Sequence, residues 1–195
     1  MTRTNIIAIT KICLLLALFF PVTSFSPSTL ATRDGNASVT NTPTMAGQWT
    51  QTAGPYGGSI YALLANGNDL FAGTGTGVFR STNNGQSWTA ANKGITGSTI
   101  LSLAAKDGYV FAGTLDRGVF RSSNNGKNWT QINNGLTSTY IKTLTVSGNK
   151  IFLGAIGVFV STDNGETWTK LNVNNGINSF AVKGATLFAG TTSKG

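Results

Sequence analysis

The feature that most constrains this 195-residue chain is an octapeptide that occurs three times in the same surroundings. The copies are Ser81-Thr82-Asn83-Asn84-Gly85-Gln86-Ser87-Trp88, Ser122-Ser123-Asn124-Asn125-Gly126-Lys127-Asn128-Trp129 and Ser161-Thr162-Asp163-Asn164-Gly165-Glu166-Thr167-Trp168. Each follows a Gly-Val-Phe run, at Gly77-Val78-Phe79, Gly118-Val119-Phe120 and Gly157-Val158-Phe159. An apolar run, a polar Asx-Asn-Gly turn and a return run led by tryptophan read together as a β-hairpin. Asn and Gly tolerate the positive φ of a tight turn, and the Asx side chain at the third position can bond the loop's own amides. The closing tryptophan is expected to pack against the base of its own hairpin.

A second marker gives the period. Phe71-Ala72-Gly73-Thr74, Phe111-Ala112-Gly113-Thr114, Phe152-Leu153-Gly154-Ala155 and Phe188-Ala189-Gly190-Thr191 recur at intervals of 40, 41 and 36 residues. Trp49, Trp88, Trp129 and Trp168 recur at 39, 41 and 39. A unit near forty residues with four strand-like segments is the pattern of a β-propeller blade. The first unit predicts strands over 59–65, 69–74, 77–81 and 87–91, and the second over 99–105, 109–114, 118–122 and 128–132. The third predicts 140–146, 150–155, 157–161 and 167–171, and two strands of a fourth follow at 177–182 and 186–191. In the first strands Ile60, Ile100, Ile141 and Ile177 align, as do Leu63, Leu103, Leu144 and Phe180. Ala62, Ser102, Thr143 and Ser179 lie between them, and small residues suit an innermost strand where blades converge. The expected fold is all-β: four-stranded antiparallel propeller blades, about three and a half of them, in units of about 47–91, 92–132, 133–171 and 172–195. An isolated strand around Trp49 at one end and a half unit at the other read as a segment of a longer propeller. The alternatives are a short open array and closure by oligomerisation, since open blade edges invite pairing with another chain.

The octapeptide resembles the Asp-box, Ser/Thr-x-Asp-x-Gly-x-x-Trp, of the bacterial-neuraminidase-type repeats, and the resemblance extends over residues 47–195. Families that share it include sialidases, sortilin-like receptors, xyloglucan-cleaving glycosidases and exported proteins similar to photosystem II stability/assembly factors. Asp163 matches the Asp position, whereas Asn83 and Asn124 depart from it. In those families the box marks the fold and lies away from the chemistry. The resemblance therefore implies a structural role for Ser81, Asn83, Gly85, Trp88, Ser122, Asn124, Gly126, Trp129, Ser161, Asp163, Gly165 and Trp168. It also implies protein or peptide recognition on a propeller face, with the inter-blade loops 91–98 and 133–139 as carriers of specificity.

The N-terminus reads as an address. Arg3 and Lys11 precede a short apolar run over 12–22, and Val22-Thr23-Ser24 or Thr29-Leu30-Ala31 offers a cleavage site. Residues 1–31 are thus expected to be a signal peptide and 32–46, with Ser, Thr, Asn and Pro43, a disordered linker. Cleavage would remove Cys13, the single cysteine, and leave a secreted, periplasmic or cell-surface domain without disulfides or an integral span. The chain has 14 basic and 6 acidic residues, and losing Arg3 and Lys11 leaves 12 against 6, a net charge of +6. That balance suits an acidic polysaccharide or acidic protein partner. The export signal and the structural use of the aromatics argue against nucleic acid.

Catalytic constellations are sparse. A glycosidase needs two carboxylates about the scissile bond, or a tyrosine nucleophile activated by a carboxylate. The six carboxylates are Asp34 in the linker, Asp69, Asp107 and Asp116 in turns, and Asp163 and Glu166 in the third box. No Arg-Ile-Pro motif of the sialidases occurs. Arg80 and Arg121 hold equivalent repeat positions and are the candidate ligand-contacting pair for a carboxylate or sulfate, although Val160 takes that place in the third unit. Histidine is absent, which together with the lost cysteine leaves no zinc site, and no acidic loop suits calcium. No catalytic residue, metal or cofactor is expected. The reading is an exported binding or scaffold module for a protein, peptide or glycan; its alternative is the N-terminal part of an Asp-box glycoside hydrolase whose catalytic residues lie elsewhere.

Overall fold

The computed structural model describes residues 52–56 and 58–192. The expected signal peptide 1–31, the expected linker 32–46 and most of the strand expected around Trp49 lie outside them. Three blades are complete. Blade 1 runs β1 (Ile60–Asn66), β2 (Asp69–Thr74), β3 (Gly77–Ser81) and β4 (Thr89–Ala90). Blade 2 runs β5 (Ile100–Lys106), β6 (Tyr109–Thr114), β7 (Val119–Ser122) and β8 (Thr130–Gln131). Blade 3 runs β9 (Thr143–Ser147), β10 (Lys150–Ala155), β11 (Gly157–Ser161) and β12 (Thr169–Lys170). A two-stranded half-blade, β13 (Ile177–Lys183) and β14 (Thr186–Thr191), follows. Every neighbouring pair is antiparallel and consecutive in sequence. The all-β, partial-propeller architecture is the one the repeat period predicts.

The fourth strands are shorter than predicted, at two residues each. The cause is competition for backbone amides. Ser87, Asn128 and Thr167 give their N–H groups to the box Asx side chains. Trp129 and Trp168 give theirs to Lys93 O and Asn134 O of the preceding blade, at 2.8 and 2.9 Å. Only the next two residues remain to pair with the third strand. Likewise β9 begins at Thr143 instead of residue 140, because Ile141 N turns to Thr114 O of blade 2 at 2.8 Å.

The core lies between blades. Phe71, Val78 and Ile95 of blade 1 pack with Ile100, Val110, Ala112, Phe120 and Trp129 of blade 2. Ala104, Phe111, Val119 and Ile132 of blade 2 pack with Ile141, Leu144, Ile151, Leu153, Phe159 and Trp168 of blade 3. Along β6 the period of two is visible: Val110 and Ala112 face one neighbour, Phe111 the other. Phe71, Phe111, Phe120 and Phe159 are fully buried, each contributing about 1.5–3 kcal/mol. Aligned positions do not share this fate throughout. Leu144 is 8% exposed but its counterpart Leu63 is 54% exposed, and Phe188 is 54% exposed where Phe71 and Phe111 are at 0%. Burial at these positions requires an adjacent blade.

The glycine of the second-strand marker has a contact to explain it. A Cβ on Gly73, Gly113 or Gly154 would lie 2.7, 2.6 or 2.7 Å from Cγ2 of Ile100, Ile141 or Ile177, the first isoleucine of the next blade. Among the described residues a Cβ on Gly190, in the half-blade, would meet Ser179 alone, with its rotatable Oγ at 2.7 Å. Gly113→Ala is therefore expected to destabilise by about 1–3 kcal/mol through overpacking between blades. Gly190→Ala should stay within about 0.5 kcal/mol. Urea unfolding of both variants checks the contrast, and equal losses would contradict the inter-blade explanation.

Candidate functional site

The three box hairpins share one geometry. Asn84, Asn125 and Asn164 sit at φ 55, 54 and 56°, and the following Gly85, Gly126 and Gly165 at 83, 79 and 86°. Two successive positive φ values define the primed hairpin turn that matches strand twist. Inside each turn the box serine is buried and makes three hydrogen bonds, the longest accepted from the Asx amide at 3.4 Å. Ser81 Oγ donates to Asn83 Oδ1 at 2.9 Å and accepts Gly85 N at 2.9 Å. Ser122 repeats this with Asn124 and Gly126 at 3.0 and 2.9 Å, and Ser161 with Asp163 and Gly165 at 2.7 and 2.8 Å. The Asx oxygen then accepts the amide four residues on, so Asn at this position makes the same bond as Asp. Asp163 also accepts a bond from Thr167 Oγ1 at 2.5 Å, where Asn83 instead donates through Nδ2 to Ser87 Oγ at 2.9 Å. Hydrogen bonds from the Thr167 hydroxyl, then from its amide, favour the ionised form and lower the Asp163 pKa to about 2.

Each indole packs on its own hairpin as expected, with Cζ2 of Trp88, Trp129 and Trp168 at 3.8, 3.7 and 3.5 Å from a Cβ placed on Gly85, Gly126 and Gly165, and two of them also reach across blades. Trp129 Nε1 donates to Ala91 O of blade 1 and Trp168 Nε1 to Ile132 O of blade 2, both at 2.8 Å. Trp88 Nε1 has no partner among the described residues. Thr52, which occupies the repeat position of Ala91 and Ile132, lies near the same turn, 3.6 Å from a Cβ placed on Gly85.

Arg80 and Arg121 serve different contacts. Arg80 Nη2 pairs with Asp69 of its own blade at 2.8 Å. Arg121 crosses to the third box, with Nη2 at 2.7 Å from Glu166 Oε1 and Nη1 at 2.8 Å from Asn164 O, its guanidinium 4.8 Å over the Tyr109 ring. Lys106 reaches the same turn through Asn164 Oδ1 at 2.8 Å and also binds Asp107, whose pKa is lowered chiefly by that hydrogen bond. Blade 1 cannot copy the arginine bridge, since Lys127 stands in box 2 where Glu166 stands in box 3.

One structural column escaped the sequence reading. Asn92 Oδ1 accepts Val78 N at 2.6 Å and Asn133 Oδ1 accepts Val119 N at 2.8 Å, so each outer strand caps the start of its blade's third strand. The equal spacing of these asparagines from Trp88 and Trp129 was the available signal. The loops 91–98 and 133–139, taken above as carriers of specificity, begin as structural locks. Gly94 and Gly135 lie so close that a Cβ would meet Trp129 O and Trp168 O at 2.2 and 2.1 Å, and Ile95 and Ser98 are buried.

A second candidate binding surface lies on the innermost strands. First strands of successive blades lie side by side. Their surface forms an open groove of about 530 Å³ lined by Tyr61, Leu63, Leu101, Leu103, Tyr140 and Lys142, closed at one side by Asn178. Tyr61 and Tyr140 are exposed, and Lys142, the one charged lining residue, is hydrogen-bonded to Asn178. Carboxylates are elsewhere: Asp69, Asp107, Asp163 and Glu166 are each held by a basic or box partner, and Asp116 is exposed in the turn between β6 and β7. Among the described residues no group of three His, Cys, Asp or Glu is placed to hold a metal, and no helix is long and apolar enough to cross a membrane.

These blades and boxes define an Asp-box β-propeller segment. Residues 159–170 match the BNR/Asp-box repeat model. Comparison with curated protein sequences gave no match. Among solved structures the chain is similar to the extracellular domain of BT4673 from B. thetaiotaomicron, at 19% identity and TM-score 0.62 over 74% of this chain and 21% of that one. It is similar to an ancestral GH74 enzyme at 24% identity and TM-score 0.54, over 63% of this chain and 20% of that one. YCF48 bound to D1 peptide matches at 17% identity and TM-score 0.53, over 73% and 52%. The chain thus spans about a fifth of the first two structures. At these identities the likeness is one of fold.

Asp163 yields a pH prediction. Its folded pKa of about 2 lies below the unfolded value of about 3.9, so its contribution is present above about pH 4 and is lost as pH falls towards 2. Asp163→Asn should keep the box bonds made by Asn83 and Asn124. Any stability gap from the parent at neutral pH should close near pH 2 in acid-unfolding curves. Ser122→Ala, in contrast, strands the buried Gly126 amide and is expected to cost about 1–3 kcal/mol at every pH.

Proposed function

We propose that the chain is an exported, non-catalytic binding module that recognises an extended peptide or protein segment in the axial groove. The observation that carries this reading is the groove's make-up: exposed Tyr61 and Tyr140, leucines 63, 101 and 103, and one cation, Lys142, on rigid strands. Tyrosines and leucines bury apolar and aromatic side chains, and their low conformational entropy favours recognition. Lys142 adds a preference for an acidic group. The engagement of Asp69, Asp107, Asp163 and Glu166 in structural bonds supports a non-catalytic role. The likeness to a propeller solved with a bound peptide agrees with it. Export rests on the charged-then-apolar run of residues 3–22.

A second reading keeps the glycoside hydrolase alternative, favoured by the GH74 neighbours. In it, the chain supplies scaffold and the paired carboxylates come from elsewhere. Acidic glycan is a further ligand class for the same groove.

Binding to a peptide array, repeated with Tyr61→Ala and Tyr140→Ala, separates these. Each substitution is expected to weaken peptide binding about tenfold or more with unchanged thermal unfolding. Binding confined to acidic glycans and lost at moderate salt would replace the peptide with a glycan. Hydrolysis of xyloglucan or sialosides by the purified chain would overturn the non-catalytic reading.

A further inference from the structure

The two ends of the blades differ in charge and in what they expose. Strands alternate in direction through each blade, so the box hairpins share one end with the turns that join first to second strands. The turns between second and third strands, and the loops leading into each first strand, form the opposite rim. Among the described residues the three ion pairs, Arg80 with Asp69, Lys106 with Asp107 and Arg121 with Glu166, are all at the box end. The described rim has one carboxylate, Asp116, against exposed Lys93, Arg117 and Lys170. Large exposed apolar side chains follow the same division. On the rim Tyr56 is 89% exposed, Ile156 64% and Leu115 46%, whereas none of the described residues of the three complete blades places one at the box end. We propose that this rim docks on an anionic membrane surface, with Tyr56, Leu115 and Ile156 entering the headgroup region and Lys93, Arg117 and Lys170 meeting lipid phosphates.

Several of these side chains stand on turns that are already fixed. Leu115 N donates to Thr99 O at 3.0 Å and Gly118 N to Thr139 O at 2.8 Å, so the turn carrying Leu115 and Arg117 is held between two loops. Arg117 Nη1 donates to Thr96 O at 3.2 Å, with the guanidinium 5.1 Å over the Phe120 ring, and its other N–H groups can meet an anion. Ile156 is bridged to Gly176, and Lys170 lies along the same turn, its Cε 3.0 Å from a Cβ placed on Gly157. Ordering such residues at an interface costs little entropy. Their distribution favours lipid over a protein partner. A protein interface gathers its apolar anchors into one packed centre. Here they stand singly, on the approach to β1, in the β6–β7 turn and in the β10–β11 turn, and a fluid interface admits each separately. Tyrosine suits the boundary of water and lipid, and each basic residue near an anionic leaflet strengthens attachment roughly fivefold. Docking in this way uses none of Tyr61, Leu101 and Lys142 in the groove.

The test puts one environment-sensitive fluorophore on the full chain in a Cys13→Ser background, at Leu115→Cys on the rim or at Lys127→Cys in the second box. Vesicles of phosphatidylglycerol and phosphatidylcholine, doped with brominated lipid as quencher, are expected to quench the rim label and leave the box label bright. Vesicles of phosphatidylcholine alone should quench neither. Lys93→Glu with Lys170→Glu should weaken binding to the anionic vesicles about tenfold or more. Lys93→Gln with Lys170→Gln serves if that variant does not fold, as judged by thermal unfolding. Equal quenching of the two labels, which insertion of the apolar run 12–22 alone would give, overturns the proposal. Equal rim quenching on both kinds of vesicle overturns it too, as does an unquenched rim label on a folded chain at millimolar anionic lipid. A rim label that responds to polyglutamate and not to vesicles also overturns it, since the occupant would then be an acidic protein.

Discussion

Burial of one blade's face against the next is the interaction on which the rest of this structure depends. A four-stranded sheet with apolar residues on both faces cannot shield them alone, and here the two faces of blade 2 are divided between its neighbours. The indole N–H bonds from Trp129 and Trp168 fix the angle of each blade by tying a hairpin to the preceding outer strand. The marker glycines let the first isoleucine of the following blade approach on the other side. Tether and close approach act together, so a blade is defined only by its neighbours.

The box contributes to this arrangement without chemistry of its own. Its serine and Asx satisfy amides that a tight turn leaves unpaired, and its glycine and asparagine take φ values that other residues resist. The groove obeys a different rule. Ile100, Ile141 and Ile177 repeat because each meets the marker glycine of the preceding blade. The next column, Tyr61, Leu101, Lys142 and Asn178, lines the groove and does not repeat. Positions held by inter-blade packing are uniform, and positions that face open space are not. The repeat therefore breaks on the surface of the groove.

Much of the fold was legible before any coordinates. Box hairpins, four strands per unit and the half-blade all follow from residues that interact within about four to ten positions of one another. The two-sided apolar pattern of β6 and the Phe-Ala-Gly marker are visible for the same reason. What escaped was the direction of long-range contacts. Trp129 could be predicted to pack, but not that it reaches Ala91. Arg80 and Arg121 hold one repeat position, yet one meets Asp69 within its blade and the other Glu166 in the next. Asn92 and Asn133 read as ordinary loop residues until the start of the third strand is seen beside them.

By itself, then, the sequence determined the repeated unit, its hairpin turns and its two-sided apolar pattern, because those depend on local φ preferences, short hydrogen-bonded rings and the period of a strand. Only the tertiary structure decided which carbonyl receives each indole, which carboxylate meets each arginine, and that the non-repeating first-strand residues share one groove. Except for Arg80 with Asp69, those outcomes join different blades, the indole bonds and the Arg121 bridge spanning some forty positions, and they depend on how one blade settles against the next.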